Sequence, residues 1–208
     1  MVTDPLVRQT ADARKSYFER YRDRFAQLVA QGQAPRVLYI GCNDSRVAPE
    51  AVLGEGGPGE SFVLRTVANA VAPYGSGQWT TGATVELAIH EFAVKDIVLC
   101  GHTHCGGLLA LDASMNMAKD PDLTLWSDYM RPAQTRIDAL MPGAEAAVRH
   151  RAIVEENVLL QLQHLQTYPA VQEAVKAGSV QLHGWVYDIE TGRVSYWDDD
   201  LKRFVLED

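Results

Sequence analysis

Two short stretches of the sequence place thiols, imidazoles, a carboxylate and a guanidinium directly after apolar runs. The run VLYI is followed by GCNDSR (residues 41–46), and the run DIVLC is followed by GHTHCGG (residues 101–107). In open α/β sheets, ligands bind beyond the carboxyl ends of the strands, so two neighbouring strands would bring these residues together. Two thiolates and one imidazole suit Zn²⁺, and three protein ligands leave a fourth position free for chemistry. The sequence therefore predicts a catalytic zinc site made of Cys42, Cys105 and a histidine.

Two histidines compete for the third ligand position. His102 follows the strand and Gly101 directly, whereas His104 is the neighbour of Cys105. We favour His102 because of its position at the strand end, but the spacing leaves His104 open. A cysteine at a strand end is more often a small buried hydrophobe, and we interpret Cys100 in that way. The coincidence of all these side chains at two strand ends favours a site.

The carboxylate and the guanidinium of the first stretch are expected to act together. On an extended segment, residues two apart point the same way, so Asp44 and Arg46 can form a pair. A guanidinium clamps a carboxylate through two hydrogen bonds and would orient Asp44 toward the metal or its water. Most such pairs are surface ion pairs that contribute little to stability, but this one would lie beside the metal. Gly106 and Gly107 would let the backbone approach closely and line the substrate pocket.

Two other functional classes explain the same residues less well. A thiol enzyme of the cysteine phosphatase type needs an arginine six positions after its cysteine. That position is Ala48 here, and Arg46 is only four residues from Cys42. The sequence contains no C-x-x-C pair that would indicate a thiol reductase. A zinc-stabilised binding module would leave the pair of Asp44 and Arg46 unexplained.

An alternation of strands and helices is expected to position the two stretches. Short apolar runs, helical periodicity and turn residues define the elements. The predicted elements are strands at 37–40, 61–71 and 96–101, helices at 80–94, 145–168 and 169–178, and a hairpin at 183–198. Residues 112–135 are poorly periodic, and we expect a surface excursion there. The pattern indicates an α/β fold with a mainly parallel central sheet flanked by helices.

The N-terminal segment is predicted to be a separate helical arm. Residues 8–31 carry an apolar stripe at spacings of three and four, formed by Phe18, Tyr21, Phe25 and Leu28. We expect an arm over residues 1–35 and a zinc-binding catalytic domain over residues 36–208. The stripe has little obvious partner within a compact α/β core. We therefore expect it to pack on a second subunit in a homodimer or a dimer of dimers, and a helix packed on its own sheet is the alternative.

The composition limits the classes of partner and the cellular compartment that fit this sequence. The net charge is -8 and the pI is about 5.2, which argues against nucleic acid as a partner. No apolar run approaches the roughly 18 residues that a membrane span requires. The N-terminal stretch is rich in acidic residues and has no apolar core, which disfavours a targeting peptide. Three cysteines in a chain of 208 residues suit reduced thiols rather than a disulfide framework, so we expect a cytosolic protein.

The paired motifs resemble those of a known family. CNDSR, followed some 60 residues later by HTHCGG, is similar to the two zinc motifs of the β-class carbonic anhydrases. The segments PGESFVLRTVANAV and LHGWVYDIETG also resemble that family, and the resemblance covers most of the chain. It implies Cys42, His102 and Cys105 as ligands of one zinc ion per chain, which settles the choice between the histidines. It also implies Asp44 and Arg46 as the catalytic dyad.

The resemblance implies that the protein hydrates CO₂ reversibly to bicarbonate and a proton. In one style of the family's site, water occupies the fourth zinc position, and a glutamine nine residues before the first cysteine serves the pocket. That residue is Gln33 here, and Phe62 and Val67 match the apolar pocket residues. Leu87 stands where plant-type members carry tyrosine, which is a departure. Hydrolysis of carbonyl sulfide or carbon disulfide on the same fold is the alternative activity.

In the second style of the family's site, the aspartate ligates zinc and a bicarbonate pocket controls the switch. Arg65 and Tyr187 match that pocket, but Tyr39 stands where its tryptophan would be. We therefore favour the open style, in which Asp44 accepts a hydrogen bond from the water. Thr66 stands where asparagine is common, and nothing in the sequence explains this exchange.

Overall fold

A six-stranded sheet organises the protein, which is known here from a computed structural model that describes residues 4–54, 57–112 and 119–207. The strands are β1 Val37–Cys42, β2 Ser61–Thr66, β3 Asp96–His102, β4 Gln181–Tyr187, β5 Val194–Asp198 and β6 Arg203–Leu206. Their spatial order is β2-β1-β3-β4-β5-β6. Strands β2, β1, β3 and β4 are parallel, and β5 and β6 are antiparallel additions at one side. The predicted α/β fold with a mainly parallel sheet is confirmed.

The register of the parallel strands fixes where the chemistry lies. Strand β1 runs between β2 and β3, with Cys42 opposite Thr66 and Gly41 opposite Cys100. Cys42 ends β1 and His102 ends β3, and the carboxyl ends of parallel strands meet at one edge of the sheet. The two stretches that the sequence singles out are therefore neighbours, although 60 residues separate positions 42 and 102.

Helices cover the sheet and extend the N-terminus. In chain order they are α1 Pro5–Gln9, α2 Ala11–Arg20, α3 Arg22–Gln31, α4 Pro49–Leu53, α5 Trp79–Glu86, α6 Gly106–Leu109, α7 Pro121–Ser127, α8 Arg131–Leu140, α9 Ala146–Leu165 and α10 Pro169–Lys176. Short 3₁₀ turns occupy Val67–Asn69 and Ala110–Asp112, and a π-helical turn occupies Leu87–Glu91. Within the described ranges, no helix is long and apolar enough to cross a membrane.

The two faces of the sheet bury different amounts of apolar surface. Leu38, Ile40 and Leu99 belong to a large core that includes Val154 and Val158 of α9. The other face carries a smaller cluster around Tyr39, Val98 and Cys100. The large core lies under α9, whose N-terminus is capped by the carboxylate of Glu145 through the amides of residues 147 and 148. The long helix that the periodicity predicts is therefore confirmed, and it is the main cover of the sheet.

The arm is helical, but the predicted single helix over 8–31 is three helices. The breaks fall at Thr10 and Tyr21, and no residue of α1, α2 or α3 is buried. Helix α3 is fastened to its own chain, because Arg24 donates to the Pro58 carbonyl at 3.1 Å and pairs with Glu60 at 2.8 Å. Helices α1 and α2 leave Leu6 exposed at 66%. The boundary between arm and domain at residue 35 stays a prediction.

Several predicted elements need correction. The expected surface excursion over 112–135 contains α7 and the start of α8, with Ser127, Met130 and Ala133 buried, while residues 113–118 lie outside the described residues. Polar residues such as Ser127 and Gln134 are buried there beside Met130 and Ile137, so the apolar periodicity is interrupted. The predicted strand at 61–71 ends at Thr66, where the chain enters a tight turn. The predicted helix at 80–94 gives way to the π-helical turn, and β6 was not predicted.

Candidate metal centre and active site

Three buried side chains converge at the carboxyl edge of the sheet. The sulfurs of Cys42 and Cys105 and a ring nitrogen of His102 all lie within 4.8 Å of one another. Cys42 is 6% exposed, His102 is 1% exposed and Cys105 is fully buried. His102 donates from Nδ1 to the Thr103 carbonyl at 2.8 Å, which leaves Nε2 buried and without a hydrogen-bond partner among the residues that the structure describes. Two thiols around an unpartnered buried imidazole nitrogen fit a metal ion with a preference for sulfur and nitrogen, such as zinc.

The backbone between His102 and Cys105, the two candidate ligands of the second stretch, decides which histidine joins the thiols. Cys105 is the residue before α6, and the chain turns back at His104, whose φ is 56°. This turn directs His104 outward, where its Nε2 lies 3.3 Å from a carboxylate oxygen of Glu190 and 53% of the side chain is exposed. The structure therefore groups His102, and not His104, with the two thiols.

The pKa values of the two thiols are shifted in opposite directions. A hydrogen bond from Cys105, together with His102 nearby, lowers the pKa of Cys42 to about 4 against the opposing effect of burial. The same hydrogen bond and burial raise the pKa of Cys105. One thiolate therefore forms readily in this pocket. The second thiol loses its proton only when positive charge arrives, which ties metal binding to proton release.

Asp44 and Arg46 form the pair that the sequence predicts. Arg46 donates from Nε to Oδ1 at 2.9 Å and from Nη2 to Oδ2 at 2.7 Å, and its backbone amide adds a third bond to Oδ1 at 3.0 Å. Hydrogen bonding to Arg46 holds the pKa of Asp44 well below its usual range. Oδ2 of Asp44 lies 3.8 Å from Nε2 of His102. We call Cys42, His102 and Cys105 the metal group. The carboxylate is therefore ionised, fixed in orientation and directed at the metal group.

Arg65 has a structural role that the sequence reasoning missed. From its place on β2 it donates to the carbonyl oxygens of Cys42, Asp44 and Val47 at 2.9, 2.7 and 2.8 Å. These three carbonyls follow the end of β1, so one guanidinium fixes the loop that carries the first ligand and the carboxylate. The sequence does offer a signal, because an arginine within an apolar strand requires acceptors close by.

Val67, Gly106 and Gly107 lie beside the metal group of their own chain. A Cβ placed on Gly107 would lie 3.0 Å from Cβ of Ala68 and 3.2 Å from Cγ1 of Val67. A Cβ on Gly106 would meet no atom of the described residues within 4 Å. Close approach therefore explains the glycine at 107, where Val67 stands against the backbone that follows Cys105. It does not explain the glycine at 106.

Gln33, Phe62 and Leu87 lie at the other end of the sheet. Gln33 is exposed in the linker before β1. Phe62 is paired with Leu38, four residues before Cys42, which is about 13 Å along the strand. Leu87 is 42% exposed, and its carbonyl accepts from the amide of Phe92, whose ring packs on Phe62. The structure does not bring these three residues to the metal group of their own chain, and their role in substrate binding stays a prediction.

Two positions of the second site style, Tyr39 in place of its tryptophan and the matching Tyr187, lie on the face of the smaller cluster. Tyr39 is fully buried, and its hydroxyl has no hydrogen-bond partner within the described part of the chain. Its ring occupies the space beside Gly41, where a Cβ would collide with it. Burial raises the pKa of Tyr39 and brings that of Cys100 to about 12, so both groups stay protonated. Tyr187 packs against the same cluster.

Comparison with known proteins matches both the fold and the motifs. A profile of the carbonic anhydrase family matches residues 37–194. The carbonic anhydrase of Pseudomonas aeruginosa is 40% identical over 184 residues, which cover 88% of this chain and 83% of that protein. The structure of the β-carbonic anhydrase CcaA has a TM-score of 0.90 at 35% identity and covers 97% of this chain and 98% of its own. A tetrameric β-carbonic anhydrase of Sordaria macrospora has a TM-score of 0.77 at 30% identity, covering 92% and 94% of the two chains.

A mainly parallel α/β sheet with a buried group of two thiols and one imidazole at its carboxyl edge thus defines a family of metal-site enzymes. The chain belongs to the carbonic anhydrases, in their β class, and it is an enzyme of that family. The resemblance that the motifs carry is confirmed.

Proposed function

We propose that this protein catalyses the zinc-dependent, reversible hydration of CO₂ to bicarbonate and a proton. The observation that carries the proposal is the group of Cys42, His102 and Cys105, with an ionised Asp44 directed at it, in a chain of the carbonic anhydrase family. Each chain would hold one zinc ion. When bound, zinc would supply Lewis acidity that makes a water molecule nucleophilic near neutral pH.

The protein's own residues orient the reactants. The Oδ2 atom of Asp44 accepts a hydrogen bond from the attacking water and keeps a lone pair of that water directed at the carbon. Arg46 keeps Asp44 ionised and holds it in one rotamer through three hydrogen bonds. Val67 and the backbone at Gly107 form an apolar wall that suits a small, uncharged substrate. Gln33 donates a hydrogen bond to an oxygen of the substrate or product, a role that requires it to reach a metal group.

The open style of the site has support in the geometry around Arg65. Its Nε and Nη2 atoms are engaged by backbone carbonyls, which makes it a brace of the loop. The ring of Tyr39 fills the space beside Gly41 on β1. Asp44 in turn is held by Arg46 on both oxygens. We therefore propose that Asp44 stays paired with Arg46 and acts through hydrogen bonding, not as a metal ligand.

Assembly belongs to the same proposal. Gln33, Phe62 and Leu87 lie away from the metal of their own chain, so they can serve only the metal of another copy. A cavity of about 520 Å³ opens at the amino ends of the strands, next to Tyr17 of the arm. Apolar side chains of the arm are exposed beside it, and the Sordaria relative is tetrameric. We propose a homodimer or a dimer of dimers in which each site is completed by a neighbour.

Mixing two impaired variants tests the shared site. Gln33→Ala keeps its own metal group, and Cys42→Ser keeps its glutamine. If the glutamine serves the partner's metal, mixed dimers regain one intact site, and activity rises above the sum of the separate variants. A monomer at micromolar concentration, or no gain on mixing, would refute the shared site while leaving the zinc proposal untouched.

The decisive experiment for the activity combines metal analysis with two substrate assays. We expect about one zinc per chain and rapid CO₂ hydration, with slower turnover of carbonyl sulfide. Faster turnover of carbonyl sulfide would identify carbonyl sulfide, and not CO₂, as the preferred substrate of the same site. Full CO₂ hydration by metal-free protein would end the proposal. A cytosolic location, which the three unpaired thiols support, can be read from fractionation of the source cells.

A further inference from the structure

The segment that follows β2 is buried, yet it is not part of the sheet. Residues 68–72 are all fully buried. Two consecutive residues, Ala68 and Asn69, have left-handed backbone with φ of 55° and 50°. Such a conformation costs a residue other than glycine about 1–3 kcal/mol and persists only where the surroundings enforce it. Buried backbone groups outside a sheet also need hydrogen-bond partners from elsewhere.

Side chains of one helix supply those partners. We call Asn157, Gln161, His164 and Tyr168 the polar row, since they recur at spacings of four, three and four residues along α9 and just beyond it. Asn157 donates to the Ala68 carbonyl at 3.1 Å. Gln161 accepts from the Val71 amide at 2.8 Å. His164 donates from Nδ1 to the Val71 carbonyl at 2.8 Å.

The row extends further and is internally connected. Tyr168 donates to the Ala72 carbonyl at 2.6 Å, and Gln161 donates to Oδ1 of Asn157 at 2.9 Å. Trp126 binds the turn from the other side, with its indole N–H on the Val67 carbonyl at 3.1 Å. Burial lowers the pKa of His164, which keeps this imidazole neutral with one nitrogen acting as a donor. Side chains from elsewhere therefore hold backbone groups at both ends of the turn, at residues 67 and 68 and at residues 71 and 72.

The held turn contacts the backbone next to two metal ligands. Val67 and Ala68 stand against Gly107, two residues after Cys105. Oδ1 of Asn69 lies 3.6 Å from the position of a Cβ on Gly101, the residue before His102. Val67 is only half-buried, whereas the five residues that follow it are buried, so its side chain is the part of the turn that faces the pocket.

We propose that Asn157, Gln161 and His164 are positioning residues, which fix the turn at 67–71 and thereby set the width of the substrate pocket beside the metal group. This inference rests on the proposed function, because it takes Val67 as a wall of the CO₂ pocket. These side chains also contribute to stability, since the loss of one would leave a buried backbone group of the turn without a partner. Because the polar row binds backbone atoms of one strained turn, it fixes the position of that turn.

Gln161→Met provides the main test, because it keeps the side-chain volume and removes the hydrogen bonds. Leu165→Ala is the matched control, since it weakens the core on the same helix and removes no side-chain hydrogen bond to the turn. Amide hydrogen exchange at 67–72 should rise about tenfold or more in Gln161→Met beyond any change in global stability. At equal loss of global stability, Leu165→Ala should not show this local rise.

Kinetics distinguish positioning from folding. For Gln161→Met we expect kcat/KM for CO₂ to fall about fivefold or more through a higher KM, with kcat, zinc content and the midpoint of the pH profile nearly unchanged. His164→Leu should act in the same direction. His164→Asn should restore most of the loss, because its amide can donate to the Val71 carbonyl in place of Nδ1.

The outcomes separate this inference from the proposed function. Equal exchange and equal kinetics in Gln161→Met and Leu165→Ala would overturn it, as would His164→Asn behaving like His164→Leu. If Gln161→Met does not fold, the two His164 variants decide the question, since this side chain is only half-buried. Wild-type protein that binds zinc but hydrates no CO₂ would end both the proposed function and the pocket role. Local exchange would then report only whether the row holds the turn.

Discussion

The loop after β1 and the turn after β2 lie side by side, but they are held in different ways. The strand residues that precede them, Cys42 and Thr66, are paired in the sheet. The loop is held by its own residues and by one arginine of the neighbouring strand. Arg46 binds Asp44 two positions away, Val47 donates to the Asp44 carbonyl at 3.0 Å, and Arg65 donates to three carbonyls about twenty residues away. The turn depends on partners some 60 to 96 residues distant, from Trp126 to Tyr168.

The difference shows which parts of a site a sequence can reveal. A carboxylate and a guanidinium two residues apart form a pattern that can be recognised, because the interaction is local. A buried turn that is bound by a distant helix leaves no such pattern near itself. The predictions below probe the two regions, from the largest expected effect to the smallest.

Loss of a thiolate ligand should abolish the site. Cys42→Ser and Cys105→Ser should each lose zinc and CO₂ hydration together, because a serine hydroxyl stays protonated and does not replace a thiolate. Metal analysis and a stopped-flow assay on the same samples measure both quantities. Cys100→Ser is the control, since this buried thiol lies outside the ligand group and should leave zinc in place. A full zinc complement in either ligand variant would contradict the assignment.

Removal of the carboxylate charge should spare the metal and impair the reaction. Asp44→Asn keeps the shape of the side chain but presents an N–H donor to the attacking water or to Arg46. We expect kcat/KM to fall about a hundredfold or more with zinc retained. Asp128→Asn, at an exposed pair with Arg131, serves as the control. Wild-type turnover in Asp44→Asn would show that the carboxylate has another role.

The rate should rise as the pH climbs from about 6 to 9. A zinc site with two thiolates and a neutral imidazole has no net charge, whereas a site of three neutral histidines brings water to a pKa of about 7. Less positive charge lowers the pKa of the water less, so the midpoint should lie above that value. Arg46 depresses the pKa of Asp44, so this carboxylate stays ionised throughout and one titration should suffice. An optimum on the acid side would contradict this account.

Removal of the brace on the loop should lower stability. Arg65→Met leaves three partly buried carbonyls without their donor, and we expect a loss of about 2–4 kcal/mol in the free energy of unfolding. Urea unfolding of the zinc-free protein measures this loss without the contribution of the metal. Arg203→Met, at an exposed position on β6, should change stability by less than about 0.5 kcal/mol. Equal stability of the two variants would show that Arg65 does not brace the loop.

A methyl group at the contact between turn and ligand loop should have the smallest effect. Gly107→Ala pushes against Val67 and Ala68, and we expect a destabilisation of about 1–3 kcal/mol. Gly106→Ala meets no atom within 4 Å and should cost less. Thermal unfolding of both variants provides the comparison. If Gly106→Ala is the more damaging change, the turn does not rest on the backbone at 107.

Much of the fold was predictable because its signals are local. The strands at β1 and β3, the long helix α9, and the hairpin of β4 and β5 follow from runs and periodicities within each segment. The helices at 121–140 were missed, since their buried faces include Ser127 and Gln134, which carry no apolar signal. The breaks in the arm at Thr10 and Tyr21 also leave the apolar spacing unchanged.

The sequence by itself predicted two thiols and an imidazole as ligands, the pair of Asp44 and Arg46, and the family, because these predictions depend on residue identity and short spacing. The spacing left His102 and His104 open and the family resemblance implied His102, but only the tertiary structure gives the physical reason, since the left-handed His104 reverses the chain and His102 turns inward. The tertiary structure also decided that Arg65 braces a loop about twenty residues away in sequence. The place of Gln33 at the far end of the sheet follows from the direction of β1. Contacts between residues distant in the chain are set by the register and packing of whole elements, which no single segment encodes.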